Sequence, residues 1–154
     1  MGATKDRLKS DLSAALRAKD EAAKTTIRMM LGAITVEEVA GDVARELSDA
    51  EEVAVVTREQ RKRREAAETY AQAGRPELAE KETSEADFLA AYLPAPLTPE
   101  ELQAIVDEEV AAVGAAGEAP SMKHMGGVVK AVNARVAGRA DGGTVAGLVR
   151  AALG

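Results

Sequence analysis

Where the prolines fall constrains this chain more than any other feature. All five, Pro76, Pro94, Pro96, Pro99 and Pro120, sit where an apolar period of 3.6 stops or starts. A proline inside a helix costs about 3 kcal/mol, so the breakers have been kept between the periodic runs. No run shows the strict alternation of a half-buried strand. The expected fold class is all-α. A helical N-terminal unit, residues 1–95, should be followed by a small three-helix C-terminal unit, residues 96–154.

The periodic runs locate the helices. Leu8, Leu12, Ala15 and Leu16 form a first apolar stripe. Asp20 should cap the second helix, whose stripe is Ile27, Met30, Leu31 and Ile34 before Gly41-Asp42 breaks it. Ser48 and Glu51 are spaced as a capping box, in which each side chain bonds the other's free backbone N–H. A long helix is expected from Asp49 to about Ala73, and a fourth from Glu77 to about Tyr92. Leu93-Pro94-Ala95-Pro96-Leu97 cannot be helical and reads as a short, stiff linker. Thr98-Pro99-Glu100-Glu101 then starts a helix with proline at its first position. Ser121 should cap the next helix, which presents Met125, Val128, Val129, Val132 and Val136 on one face. Asp141 should cap the last, packed through Val145, Leu148, Val149 and Ala152.

Composition narrows the chemistry. The chain has 154 residues, 46% hydrophobic and only 2% aromatic, so its cores must be aliphatic. Its net charge of −6 disfavours indiscriminate binding to polyanions, so any such contact needs a local patch. There is no cysteine, which excludes disulfides and thiolate chemistry. No apolar run is long enough to span a bilayer, the first residues are charged, and a cytoplasmic location is expected. No phosphate-cradling Gly-Lys-Ser/Thr loop is present. No cofactor, metal site or catalytic residue is expected.

Three sets of residues stand out. The segment after Pro120 reverses the sign of the chain: Lys123, Lys130, Arg135, Arg139 and Arg150 face a single acid, Asp141. Lys123, Gly127 and Lys130 share a stripe opposite the valines, open to an anion such as a phosphate backbone. Arg61-Lys62-Arg63-Arg64 points around more than half a helix, so a solvated surface run paired with Glu59, Glu65 and Glu68 is the simplest reading. Glu82 and Glu85 share the apolar seam Leu78–Leu89 and need cationic partners, for which Arg28, Arg61 and Arg64 are the candidates. A structural ion-pair network is favoured there over an acid–base pair. His124, the only histidine, reads as a surface residue, and Tyr70, Phe88 and Tyr92 as anchors of the core.

The chain resembles the YqeY-like family (the GatB/YqeY group). The resemblance rests on Arg61 to Arg64, Tyr70, Gly74-Arg75, Leu78, Glu82, Glu85 and Tyr92-Leu93-Pro94. In the tail it rests on Met125-Gly126, Val129-Lys130, Gly138-Arg139-Ala140-Asp141-Gly142, Val145 and Leu153. Gly127 stands where a lysine is usual, and Pro76 where a charged residue is. The resemblance implies that the tail is similar to the C-terminal tail of the GatB component of glutamine-dependent tRNA amidotransferase, which helps engage tRNA. An accessory module contacting tRNA or other structured RNA is then the leading expectation. Lys123, Lys130, Arg135, Arg139 and Arg150 would carry that contact, with no role for DNA or a membrane. The alternatives are a protein–protein interaction module, and the family label of carbon–nitrogen ligase with glutamine as amido-nitrogen donor.

Overall fold

A computed structural model describes residues 2–154. Among the described residues there are seven α-helices and no strand: α1 (Ala3–Ala18), α2 (Glu21–Glu38), α3 (Asp49–Gln72), α4 (Pro76–Ala90), α5 (Pro99–Ala115), α6 (Met125–Val136) and α7 (Gly142–Leu153). The fold is all-α. The chain divides into two compact units, one ending at Pro94 and the other running Ala95–Gly154.

The first unit buries Leu8, Ile27, Met30, Ile34, Val55, Val56 and Leu89 between α1, α2, α3 and the end of α4. Leu16 is a correction: it is half exposed rather than part of the core stripe. The helix ends follow local chemistry. Asp20 accepts the Ala23 N–H (3.1 Å). The Ser48 hydroxyl accepts the Glu51 N–H (3.2 Å), while Glu51 accepts the Ser48 N–H (2.8 Å), completing the box. α4 begins at Pro76 and ends at Ala90, so Tyr92 lies in the turn beyond it.

One buried fastening of this unit has no signature in the local sequence. The Glu52 carboxylate, fully buried, accepts the N–H of Gly2 (3.0 Å) and of Lys5 (2.8 Å). Asp49 accepts the Ala3 N–H (2.7 Å). The first turn of α3 thus caps α1, whose positive end stabilises the buried negative charge. The approach is so close that a Cβ on Gly2 would collide with the carboxylate. α1 in turn holds the far end of the unit. The Tyr92 hydroxyl donates to Asp11, the Arg7 guanidinium lies 4.6 Å over the Tyr92 ring, and it also donates to Ala91 O (2.6 Å).

The second unit packs α5, α6 and α7 around Leu102, Val106, Val128, Val132, Val136, Val145, Val149 and Leu153. Ala152, expected in this core, is exposed. Ala95 to Leu97 belongs to this unit rather than acting as a free spacer, because the Leu97 N–H donates to Arg139 O (3.0 Å). Thr98 and Asp141 cap α5 and α7 through the N–H groups of Glu101 (3.1 Å) and Thr144 (3.0 Å). Ser121 does not cap α6 directly. A short 3₁₀ turn, Met122–His124, intervenes, and α6 starts at Met125. α6 then stops at two successive left-handed residues, Ala137 (φ 50°) and Gly138 (φ 81°).

Replacing Glu52 with Ala should destabilise the protein by about 2–4 kcal/mol in urea unfolding, since buried N–H groups lose a charged acceptor. The Arg45 guanidinium, followed by the Ser48 N–H, pulls the Glu51 carboxyl from its ordinary 4.5 down to about 2. A lowered carboxylate stabilises the fold in full above its unfolded value and loses that effect as pH falls through the folded one. The part of the thermal midpoint due to Glu51 should therefore be lost between about pH 4.5 and pH 2, and Glu51→Gln should flatten that part of the profile.

Candidate functional site

The five cations of the second unit do not share one environment. Arg135, on α6, is claimed by α5: its guanidinium lies 2.7 Å from Glu108 and 3.3 Å from Glu109. These carboxylates, Glu108 first, raise the Arg135 pKa further above its ordinary value. Lys123 lies 3.3 Å from Glu118. The Arg139 Nε donates to Ala95 O (2.9 Å), a neutral acceptor that leaves its charge uncompensated. Lys130 and Arg150 are exposed and form no ion pair among the described residues. The cations available to an external anion are therefore Lys130, Arg139 and Arg150. Beside Lys130, a Cβ on Gly126 or Gly127 would meet nothing within 4 Å, so α6 is open there to the backbone itself.

His124 corrects the expectation of a plain surface residue. Its side chain is 17% exposed, and its Nε2 lies 2.8 Å from Glu118. Its Nδ1 accepts the Ser121 N–H (3.2 Å). A neutral imidazole protonated at Nε2 satisfies both contacts, one as donor and one as acceptor. The Glu118 carboxyl is held below its usual range by His124 and then Lys123. The ring therefore clips the loop that leads into α6.

In the first unit the basic run proves to be divided. Arg63 is buried, with a side chain only 6% exposed. It lies 3.2 Å from Glu85 and 3.1 Å from Glu59. It also donates to Glu59 O (3.0 Å), and its third nitrogen rests against the Met29 sulfur (3.8 Å). The partner of Glu85 is thus Arg63, not Arg28, Arg61 or Arg64. Arg64 pairs with Asp87 (2.9 Å), and Lys62 with Glu59 (3.4 Å). Arg61 and Arg28 form no ion pair among the described residues. Glu82 is half-buried without a bonded partner among the described residues, while Glu85 is engaged by a fixed guanidinium. Such a pair fixes the register of α3 against α4, as the Gln60 amide does by donating to Ala86 O (3.0 Å). Phe88 and Tyr92, with ring centroids 5.9 Å apart, anchor the core, whereas Tyr70 lies outside it.

Residues 5–153 match the family described as Yqey-like protein. The chain belongs to the YqeY-like family. No curated protein sequence matches it. No helix among the described residues is long and apolar enough to cross a membrane.

Arg63→Ala should destabilise the protein by about 3 kcal/mol, because it leaves Glu85 and Glu59 without their buried counter-ion. Arg61→Ala, two residues away on the same helix, should change stability by less than about 0.5 kcal/mol. Paired urea titrations separate the buried member of the run from its exposed neighbour.

Proposed function

We propose that this YqeY-like protein is an accessory module whose C-terminal unit contacts the phosphates of structured RNA, such as tRNA, through Lys130, Arg139 and Arg150. The observation that carries this reading is the uncompensated charge of those three residues in a segment whose one acid, Asp141, is occupied in capping α7. Lys123 and Arg135 play a lesser part, since internal carboxylates already screen them. Recognition would depend on shape and phosphate spacing rather than base sequence, because no aromatic platform accompanies the cations. The relation to the tRNA amidotransferase is one of family resemblance in the tail. Glu85, bound to Arg63, gives no support to an acid–base role.

Fluorescence anisotropy with a labelled tRNA transcript tests the reading. With about three phosphate contacts, log K should fall with log salt at a slope near −2 to −3. Lys130→Ala and Arg150→Ala should each reduce that slope by about one, and Arg135→Ala should leave it unchanged. Binding that ignores salt, or that depends on Arg135 alone, refutes the assignment.

A further inference from the structure

Met29 and Met30 are neighbours on α2 in different surroundings. Met30 is fully buried in the core of the first unit, whereas Met29 is 49% exposed. The Met29 sulfur lies 3.8 Å from Nη2 of Arg63, a side chain only 6% exposed. The other two nitrogens of that guanidinium have oxygen acceptors. Nε donates to Glu85, and Nη1 donates to both the carbonyl and the carboxylate of Glu59. Nη2 has the thioether alone among the described residues. Divalent sulfur is a weak acceptor, so a cationic N–H group withdrawn from water is left with the poorest partner in the network.

An oxygen on that sulfur removes the mismatch. Bent toward Nη2, it falls at an ordinary N–H···O distance, about 2.9 Å, with sulfur and nitrogen where they already stand. The exposed flank of Met29 admits a small hydroperoxide, from which Met30 is closed off. We propose that Met29 is a reversible oxidation site whose sulfoxide is held by Arg63. The sulfur lone pair facing the guanidinium attacks one peroxide oxygen, and the S–O bond forms as the O–O bond breaks. Sulfur loses two electrons. The proton on the transferred oxygen passes to the departing one, which leaves as water or an alcohol. A thiol-dependent reductase restores the thioether. Sulfoxide formation disrupts an apolar core, but at Met29 it adds a charge-assisted bond from α2 to the Arg63–Glu85 pair that sets α3 against α4. Oxidation therefore tightens the first unit.

Met122 is the internal control, 47% exposed and with no hydrogen bond to its sulfur among the described residues. The full-length protein is treated with hydrogen peroxide, digested, and mapped by peptide mass. The digest is then given, separately, the two methionine sulfoxide reductases, each of which accepts one sulfoxide epimer. The two epimers should be near equal at Met122 and should differ by at least about threefold at Met29, because Arg63 favours oxygen on one lone pair. In a Met122→Leu background, oxidation at Met29 should raise the thermal midpoint by about 2–4 °C. Met29→Gln, whose amide oxygen stands in for the sulfoxide, should melt above Met29→Leu, which cannot accept the bond. An even epimer ratio at Met29, a midpoint unchanged or lowered by its oxidation, or a Met29→Gln protein no more stable than Met29→Leu each overturns the proposal.

Discussion

A carboxylate removed from water needs charged or dipolar company, and Glu52 finds it in the backbone of α1. Burying an unpaired charge is prohibitive, but two N–H donors at the positive end of a 16-residue helix offset the lost hydration. The contact is specific because it needs both partners in place at once. α1 must begin at Ala3, and α3 must present Glu52 inward. Once α1 is fixed, its Lys5 reaches Glu38 of α2 (2.6 Å) and its Arg7 and Asp11 meet Tyr92. One buried acid therefore sets the position of the helix that ties the beginning of the first unit to its end. Burial, then the bond to Asp11, raises the Tyr92 hydroxyl pKa above its ordinary value, so the bond persists as a neutral donor to a carboxylate.

What can be read from the sequence is local. Asp20, Ser48, Thr98 and Asp141 cap helices with groups no more than three residues away, and proline marks the breaks. Such features depend on neighbours along the chain, so they survive without knowledge of packing. Arg63 shows where this ends. Four consecutive cations cover most of a helix circumference, and only the register of α4 decides which of them meets Glu85. Glu52 escapes a sequence reading for the same reason: its partners lie 47 and 50 residues away. His124 reads as a surface residue because its contacts come from a loop whose path a helical period cannot specify.

The candidate interface is legible as a cluster in sequence and only partly so in space. The segment after Pro120 is basic when counted, yet α5 carries five acids and no base and packs against α6. Two of those acids pair with Arg135 on the surface. Counting charges along a segment ignores helices that fold onto it. Arg139 behaves differently because its bonded neighbour is a carbonyl, which fixes the side chain without cancelling the charge. A salt bridge and a hydrogen bond to a neutral group look alike as restraints but have opposite consequences for an approaching anion.

The same arrangement gives the second unit a polarity that matters for a protein of net charge −6. Acids concentrate on α5, and uncompensated cations on α6, α7 and the turn between them. At physiological salt, fields decay over about 8 Å, so a polyanion feels the excess negative charge weakly until it is nearly in contact. Within that distance orientation decides the sign of the interaction. Under the proposed contact, a phosphate chain approaching α5 would be repelled and one approaching Lys130, Arg139 and Arg150 attracted. On the proposed reading, few cations on an acidic body would give modest affinity and strong dependence on how the anion is presented, the kind of presentation a rigid, folded nucleic acid offers.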